Sequence, residues 1–480
     1  MRSLITAIGR LLQGFYQAVT RFPLTAICLF SSTALACHII SLHRTPELIV
    51  QKLMFVFLLG SFIGVTAQFA CERFSYRGKQ RGGVYGLALI LILLYYFSIA
   101  NVIAIDYEVA AKTMVAVFAM FCIYVWLPSY GNENDFNTVA LIHSKSALTS
   151  VLYAAVLSVG LALLFATIDV LLFAVDSDIY GYMMVIVWIS FATLSYLARL
   201  PYFHADARSV VEAGQFPRVL EILVSQIAIP LVAAYTLVLF SYFIKIGFTG
   251  TWPVGQLGPM ILAYSAVGLI LFVLAGRLNN KIALLYKLIF PKVLIPIVGM
   301  QLMSVYIRLQ AYGVTESRYY VALFGLFSLV IGFILTLRPR INNGIIALLA
   351  AAFAIVSVVP PVDAFTVSRI SQIGRLEQIL TEAGMLVGGQ LEAKPDADFT
   401  VRRETTNILQ YLERRGYLGQ VAWLPEDFSP YRDMQQILGF SPTYSHTPQL
   451  GEFFHVSLDL QEPLSIAGYD VLLQVTSHRQ

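Results

Sequence analysis

The amino-acid sequence predicts an all-α polytopic membrane bundle of about 11 transmembrane helices, followed by a small α+β extracytoplasmic domain. Three observations predict this architecture. The 480 residues are 58% hydrophobic and only 12% charged, with a mean hydropathy of +0.73, whereas soluble domains are about 25% charged. Many apolar segments are long enough to cross a bilayer. The loops on the two predicted sides of the membrane also differ in their content of lysine and arginine.

The net charge of +4 is divided unevenly along the chain. Residues 1–360 contain 23 basic and 13 acidic side chains, whereas residues 361–480 contain 9 basic and 15 acidic ones. A weak and divided charge does not indicate a nucleic-acid partner, because nucleic-acid-binding domains are strongly basic. The sequence therefore predicts a basic membrane body in contact with the lipid bilayer and an acidic tail.

Residues 1–21 predict an amphipathic helix that lies in the membrane interface. Their apolar side chains recur at helical spacing, and polar side chains occupy the opposite face. This pattern differs from the continuous apolar segment of a secretory signal peptide. The apolar side chains are Leu4, Ile5, Ile8, Leu11, Leu12, Phe15 and Val19.

The transmembrane helical domain is predicted at residues 22–360, where eleven segments have the roughly 20 mainly apolar residues that a spanning helix needs. The stretch 282–290 is too short and contains Lys287, so it predicts a separate interfacial turn of helix. Pro291 and Pro296 predict an irregular first half of the ninth span. The spans are predicted at 22–42, 51–71, 83–104, 109–129, 147–174, 181–200, 219–244, 257–276, 291–310, 319–337 and 343–360.

The positively charged side chains orient the predicted spans, because lysine and arginine in short loops favour the cytoplasmic side. With the N-terminus inside, 17 basic side chains of the body lie in the cytoplasm and 6 lie outside. We therefore predict an N-terminus inside and, since the number of spans is odd, a C-terminus outside. The 6 basic side chains predicted outside are Arg44, Lys52, Lys112, Lys245, Arg308 and Arg318.

The hydrophobic pattern stops at Pro360-Pro361, and residues 361–480 predict a separate soluble domain. Apolar side chains first recur at helical spacing and later follow strand-like patterns. Helices are predicted at 363–382, 401–415 and 431–438, and strands at 453–460 and 469–475.

The two predicted strands would form a hairpin near the end of the chain. An isolated hairpin is marginal in water, so three arrangements are open. The helices of the domain cover one face of the hairpin, another chain completes the sheet, or the chain is a shortened version of a longer protein. We expect the hairpin to pack on the helices and to leave one strand edge open for a protein partner.

No metal or cofactor site is predicted. The four cysteines lie within or at the ends of apolar segments, so the tail folds without disulfides. No Cys-x-x-Cys or His-x-x-x-His spacing, as metal sites use, occurs in the sequence. The cysteines are Cys28, Cys37, Cys71 and Cys122.

The ninth predicted span and the loop after it carry the richest set of polar side chains. Gln301, Ser304 and Arg308 recur at i, i+3 and i+7, which places them on one helix face. The set predicts a polar network that locks two helices and the loop, in which Glu316 pairs with Arg308 or Arg318. The alternative is a ligand or ion site that faces outward. The candidate cluster is Gln301, Ser304, Arg308, Tyr312, Glu316 and Arg318.

Asp169 is the candidate intramembrane acid, because a charge at mid-bilayer costs at least about 2.5–3.5 kcal/mol. It lies toward the outer end of a long predicted span. It therefore either snorkels or caps a neighbouring helix, or it serves a proton-linked or cation-linked site.

Asp106 and Glu108 form an acidic pair in a short predicted outer loop, where a lipid-linked transferase could place its base. No Gly-x-Ser-x-Gly, Walker or His-Glu-x-x-His motif occurs in the sequence. No catalytic residue is therefore assigned, and the sequence favours a protein that is not an enzyme.

Four segments carry a resemblance to a known family: 252–255 (Trp-Pro-Val-Gly), 285–292 (Leu-Tyr-Lys-Leu-Ile-Phe-Pro-Lys), 312–319 (Tyr-Gly-Val-Thr-Glu-Ser-Arg-Tyr) and 466–470 (Ile-Ala-Gly-Tyr-Asp). The sequence resembles a family of bacterial polytopic inner-membrane proteins, domain of unknown function 4153. The resemblance covers most of the chain and is strongest from about residue 250 onward. It implies a location in the bacterial cytoplasmic membrane, and it implies no activity.

These patterns favour a non-enzymatic envelope sensor or scaffold that acts through its outer domain. The apolar bundle offers no evident ion path, and a carrier does not need a sizeable outer domain. A secondary transporter with a polar site around the ninth span is the alternative, and a membrane-embedded transferase is the third hypothesis. A deep cavity that reaches the polar cluster and Asp169 would favour transport, whereas a packed bundle would favour a scaffold.

Overall fold

The computed structural model describes residues 2–132, 134–204, 207–250, 257–425 and 427–444. The predicted hairpin of strands 453–460 and 469–475, and with it the predicted partner edge, lies outside the described residues. The segments 252–255 and 466–470 also lie outside them.

The described chain is built almost entirely from helices. They are α1 (Arg2–Arg21), α2 (Pro23–Leu42), α3 (Leu48–Arg73), α4 (Lys79–Ala100), α5 (Tyr107–Trp126), α6 (Phe136–Leu171), α7 (Asp178–Val185), α8 (Ala192–Ala198), α9 (Ala207–Ala213), α10 (Arg218–Ile222), α11 (Ile229–Thr249), α12 (Leu257–Ala275), α13 (Lys281–Tyr312), α14 (Glu316–Leu337), α15 (Gly344–Val356), α16 (Ala364–Glu382), α17 (Phe399–Arg415) and α18 (Pro430–Ile437). π-Helical turns join α7 to α8 and α10 to α11, and each joined pair forms one span.

Ten helices among the described residues are long and apolar enough to cross a membrane. This confirms the predicted all-α polytopic bundle. The predicted eleventh span, 343–360, contains a helix of 13 residues, Gly344–Val356, which is about 20 Å long at 1.5 Å per residue. This helix packs along α5. Its first residue lies against Trp126 at one end of α5, and Asp363 lies 3.5 Å from Lys112 near the other end.

The loops between the helices meet in two groups, one at each end of the bundle. At one end, Arg21 forms an ion pair with Glu72 at 2.7 Å, and Asn343 donates to Asn137 at 2.8 Å. At the other end, Lys52 donates to the carbonyl of Ala100 at 2.6 Å. We call these the Arg21 end and the Lys52 end. Among the described residues, these contacts join chain segments that the sequence assigns to the same side of the membrane.

The predicted break before the ninth span is wrong. Residues 282–290 and the ninth span form one continuous helix, α13, with Pro291 and Pro296 inside it. Proline removes a backbone donor, but neighbouring helices support a proline-containing helix in a membrane. Here α14 approaches closely, because a Cβ atom added to Gly332 would lie 3.4 Å from the carbonyl oxygen of Pro291.

Residues 363–444, which we call the C-terminal unit, have a hydrophobic core of their own. The predicted helices match α16, α17 and α18 closely. Asp363 caps the start of α16 through the amides of Phe365 and Thr366, and Gly416 ends α17 in a left-handed conformation. A short antiparallel hairpin, β1 (Leu386–Val387) and β2 (Gln390–Leu391), was not predicted. The fully buried core side chains include Leu376, Leu380, Leu409, Leu412, Met434 and Leu438.

Candidate functional site

The predicted polar cluster divides into a packed part within the bundle and a part at the Lys52 end that contacts the C-terminal unit. Gln301 and Ser304 lie on one face of α13, as their spacing predicts, and Gln301 is fully buried. A Cβ atom on Gly325 of α14 would lie 3.8 Å from the Gln301 amide carbon. Among the described residues, neither amide atom of Gln301 has a hydrogen-bond partner. This half of the cluster lies in the contact between α13 and α14.

The loop between α13 and α14 is held by the C-terminal unit. Gln372 of α16 donates to the carbonyls of Tyr312, at 3.0 Å, and Val314, at 2.8 Å. The amide of Val314 donates to the hydroxyl of Ser371 at 2.9 Å. Gly313 adopts a φ of +68°, and a Cβ atom there would lie 2.8 Å from Gln372 Nε2. The loop therefore needs glycine both for its turn and for this close approach.

Arg318 and Arg375 share the ring of Tyr312. Their guanidinium carbons lie 5.5 and 5.8 Å from the ring centre, and Arg318 also donates to the carbonyls of Tyr312 and Gly313. Arg308 is half-buried. Among the described residues, no carboxylate lies within ion-pair distance of Arg308 or Arg318.

Glu316 instead pairs with the C-terminal unit, which differs from the predicted pairing with Arg308 or Arg318. Its carboxylate is 1% exposed and lies 3.4 Å from Arg415 Nε of α17. Burial and the adjacent Glu316 carboxylate raise the pKa of Tyr411 above its ordinary value. Spacing identifies Glu316 as a candidate, but a partner so far along the chain depends on tertiary structure.

A second ionic group lies beside the first, at the start of α5. Lys112 lies 2.6 Å from Glu108 and 3.5 Å from Asp363. Tyr417 of the C-terminal unit donates to Glu108 at 3.3 Å. We define the docking interface as residues 107–112 and 312–318 of the bundle together with residues 363–375 and 411–417 of the C-terminal unit. It contains two ion pairs that cross between the two parts, Lys112 with Asp363 and Arg415 with Glu316.

The titration of the docking interface reflects its burial and its charges. Burial opposes ionisation of Asp363, but hydrogen bonds from Thr366 and Phe365 and the charge of Lys112 outweigh it and hold the pKa below the ordinary value. Burial and the Glu108 carboxylate raise the pKa of Tyr417. At neutral pH, Asp363 is therefore ionised and Tyr417 is a hydrogen-bond donor.

The remaining predicted acids have local structural partners. Asp169 is exposed and accepts a hydrogen bond from the amide of Val175 at 2.7 Å, a local contact with the loop after α6 and not a cap to a neighbouring helix. Asp106 caps α5 through the amide of Val109 at 2.9 Å. Glu108 belongs to the docking interface, so both members of the acidic pair have structural partners.

A chamber of about 840 Å³ lies inside the bundle, with walls contributed by α2, α3, α5, α6, α8, α12, α14 and α15. Most of its wall is apolar. Neither Gln301 nor Asp169 lines it. It extends from the Arg21 end, where Thr25, Tyr196 and Ile346 lie near helix ends, toward the middle of the spans. Five large apolar side chains of the wall are 39–60% exposed, so the chamber is open: Phe118, Phe121, Val151, Trp188 and Ile270.

A buried histidine lies in the chamber wall at the Arg21 end. His143 of α6 is 4% exposed, and its Nδ1 lies 2.6 Å from the hydroxyl of Tyr196. The same hydroxyl lies 3.1 Å from that of Tyr124. Nε2 of His143 is buried and has no hydrogen-bond partner among the described residues. Three helices are thus linked by one chain of polar groups.

Sequence reasoning missed His143 because it started the fifth span at residue 147. The structure starts α6 at Phe136, and these first turns are covered by protein: Val139, Leu141 and Ile142 are at most 1% exposed. A histidine within an apolar helical segment was the available signal, and it lay just outside the predicted span.

The fold and the site define a multi-pass α-helical membrane protein. The chain belongs to the family described as domain of unknown function (DUF4153), whose model matches residues 25–393. This confirms the resemblance read from the sequence. The matched residues cover the bundle and extend into the C-terminal unit, and the segment 466–470 lies beyond them. Neither the curated proteins nor the solved structures contain a match to the chain.

Proposed function

We propose that this protein is a non-enzymatic sensor or scaffold of the bacterial cytoplasmic membrane that acts through an outer domain formed by residues 361–480. The docking interface is the observation that carries the proposal. Two ion pairs and the hydrogen bonds of Gln372 and Ser371 fix the C-terminal unit to the first turns of α5, to the loop after α13 and to the start of α14. A domain held in this way can transmit its state to the helices below it.

The proposed topology has the N-terminus inside, eleven crossings and the C-terminus outside. The distribution of lysine and arginine supports this orientation. The two ends of the bundle support the order of crossings, because the loops 101–106 and 313–315 lie at the same end as the C-terminal unit. Helix α15 and the segment 357–360 then make the eleventh crossing.

The helices that hold the outer domain also reach the interior of the bundle. α5 carries Glu108 and Lys112 at its first turns and contributes Phe118 and Phe121 to the chamber wall. α14 starts at Glu316 and contributes Phe324 and Phe327 to the same wall. A movement of the outer domain would therefore act on two walls of the chamber at once.

The test is complementation of a strain that lacks the protein, with Arg415→Ala together with Lys112→Ala. We expect this double variant to reach the membrane in normal amounts, to release residues 361–480 to added protease, and to fail to restore the envelope phenotype of the deletion. Arg414→Ala is the matched control, because Arg414 is exposed beside Arg415. Full restoration by a double variant whose outer domain is released would overturn the proposal.

Transport is a second candidate, and the chamber is the observation that favours it. The polar cluster predicted to serve transport does not line the chamber. A transporter would therefore move an apolar molecule, and it would continue to do so when the docking interface is broken. Flux that survives the Arg415→Ala and Lys112→Ala changes would favour this candidate over a sensor.

A further inference from the structure

We propose that the chamber is a binding site for one acyl chain of a membrane phospholipid. The proposal is independent of the proposed function, because it depends on the chamber alone. The chamber is within the size range of small-molecule sites, roughly 300–1,000 Å³, and its wall is mainly apolar. Water has few partners in such a space, and apolar cavities stay dry or take apolar ligands.

The position of the opening identifies the occupant. The exposed wall residues Phe118, Trp188 and Ile270 lie in the middle parts of spans Tyr107–Gly131, Asp178–Ala198 and Gly258–Ala275. The opening therefore faces the hydrocarbon layer, where acyl chains are the solvent.

Charge at one end of the chamber orients the lipid. Ser150 is a wall residue, and its hydroxyl accepts from the guanidinium of Arg199 at 3.3 Å. Arg199 follows the last residue of span Asp178–Ala198, at the Arg21 end. Ser144 and Thr193 add hydroxyl groups to the same part of the wall. A phosphate lying near Arg199 would place the acyl chain along the apolar part, which extends toward mid-bundle.

The test uses the full chain in nanodiscs of phosphatidylethanolamine and phosphatidylglycerol. The probe is phosphatidylglycerol with a diazirine in the middle of one acyl chain, and labelled peptides are mapped by mass spectrometry. We expect labelling of residues 118–121 of α5, which line the chamber toward mid-bundle, to saturate at a low fraction of probe, because a site fills. Labelling of the outer surface of α6 at 159–170 should rise in proportion to the probe. Proportional labelling of both segments would overturn the proposal.

A chamber-filling variant gives a second measurement. Ala147 lines the chamber and is exposed within it, so Ala147→Trp should lower the saturable labelling by about tenfold. Ala166→Trp is the matched control, because Ala166 is an exposed residue of α6 away from the chamber. Unchanged saturable labelling in Ala147→Trp would contradict the assignment. Displacement of the probe by an isoprenoid phosphate, but not by unlabelled phosphatidylglycerol, would also contradict it.

Discussion

Single residues decide how the C-terminal unit is held, and Glu316 is the most informative of them. Its carboxylate is almost completely buried, so its charge is stable only with a partner. That partner is Arg415, which lies 3.4 Å away and is itself partly exposed. The residue type and its position after α13 mark Glu316 as a candidate in the sequence. Which arginine it binds depends on how α17 packs, and that cannot be read from spacing.

We predict that Arg415→Ala destabilises docking of the C-terminal unit by roughly 2–5 kcal/mol, because the change leaves a buried carboxylate without its partner. Arg414→Ala should change stability by less than about 0.5 kcal/mol. Limited proteolysis of the full chain in detergent, followed across a temperature series, measures the difference. Equal resistance of the two variants would contradict the ion pair.

A double-mutant cycle should separate the observed pair from the predicted one. The effects of Glu316→Ala and Arg415→Ala on stability are expected to be non-additive, with a coupling of about 0.5–3 kcal/mol. Either substitution alone already removes the contact between the two side chains. Glu316→Ala and Arg308→Ala should couple less strongly, since these side chains form no ion pair. Stronger coupling to Arg308 would favour the original sequence-based network over the observed contact.

We predict that the stability of the docking interface depends on pH through the ionisation of Asp363. Its pKa is held below the ordinary value, so its contribution to stability is fully present above about pH 4. That contribution is lost as the pH falls through the folded-state pKa. Asparagine also caps helices, so Asp363→Asn keeps the cap and removes the charge beside Lys112.

We therefore expect Asp363→Asn to lower the melting temperature of the full chain above pH 5, with a difference from wild type that shrinks as the pH falls below 4. Thermal unfolding of both proteins between pH 3 and pH 7 provides the measurement. A difference that is constant over this range would show that ionisation of Asp363 does not stabilise docking.

At the scale of elements, apolar length located the spans, because about 20 apolar residues are needed to cross the hydrocarbon layer. The ends of the helices were less predictable. α6 starts well before its predicted first residue because its first turns are covered by protein. α13 continues through two prolines because α14 packs closely beside it. Both misses reflect tertiary packing, which hydropathy does not report.

The close packing of α3 against α2 can be tested by a substitution at their contact. A Cβ atom on Gly64 would lie 2.8 Å from the backbone nitrogen of Thr25, so Gly64→Ala should cost about 1–3 kcal/mol through overpacking. Gly86 of α4 has no atom within 4 Å of the same position, and Gly86→Ala should be neutral or stabilising. Thermal unfolding in detergent compares the two. Equal effects of the two substitutions on stability would mean that α2 and α3 do not approach this closely.

For the whole molecule, the central claim is that the docking interface and the C-terminal unit lie outside the cytoplasm, at the Lys52 end of the bundle. The claim combines the distribution of charged residues with the contacts between loops. The proposed orientation comes from the distribution of lysine and arginine in the sequence, and the structure shows the contacts of the loops with the C-terminal unit. The hypothesis of an outer domain that acts on the bundle requires both.

Cysteine accessibility in intact cells tests this claim most directly. The four native cysteines are replaced, and single cysteines are introduced at Gln378 in α16 and at Gln80 in α4, both exposed positions. A membrane-impermeant maleimide should label Gln378→Cys in intact cells and Gln80→Cys only after the cells are permeabilised. Labelling of Gln80→Cys in intact cells, with Gln378→Cys protected, would contradict the account.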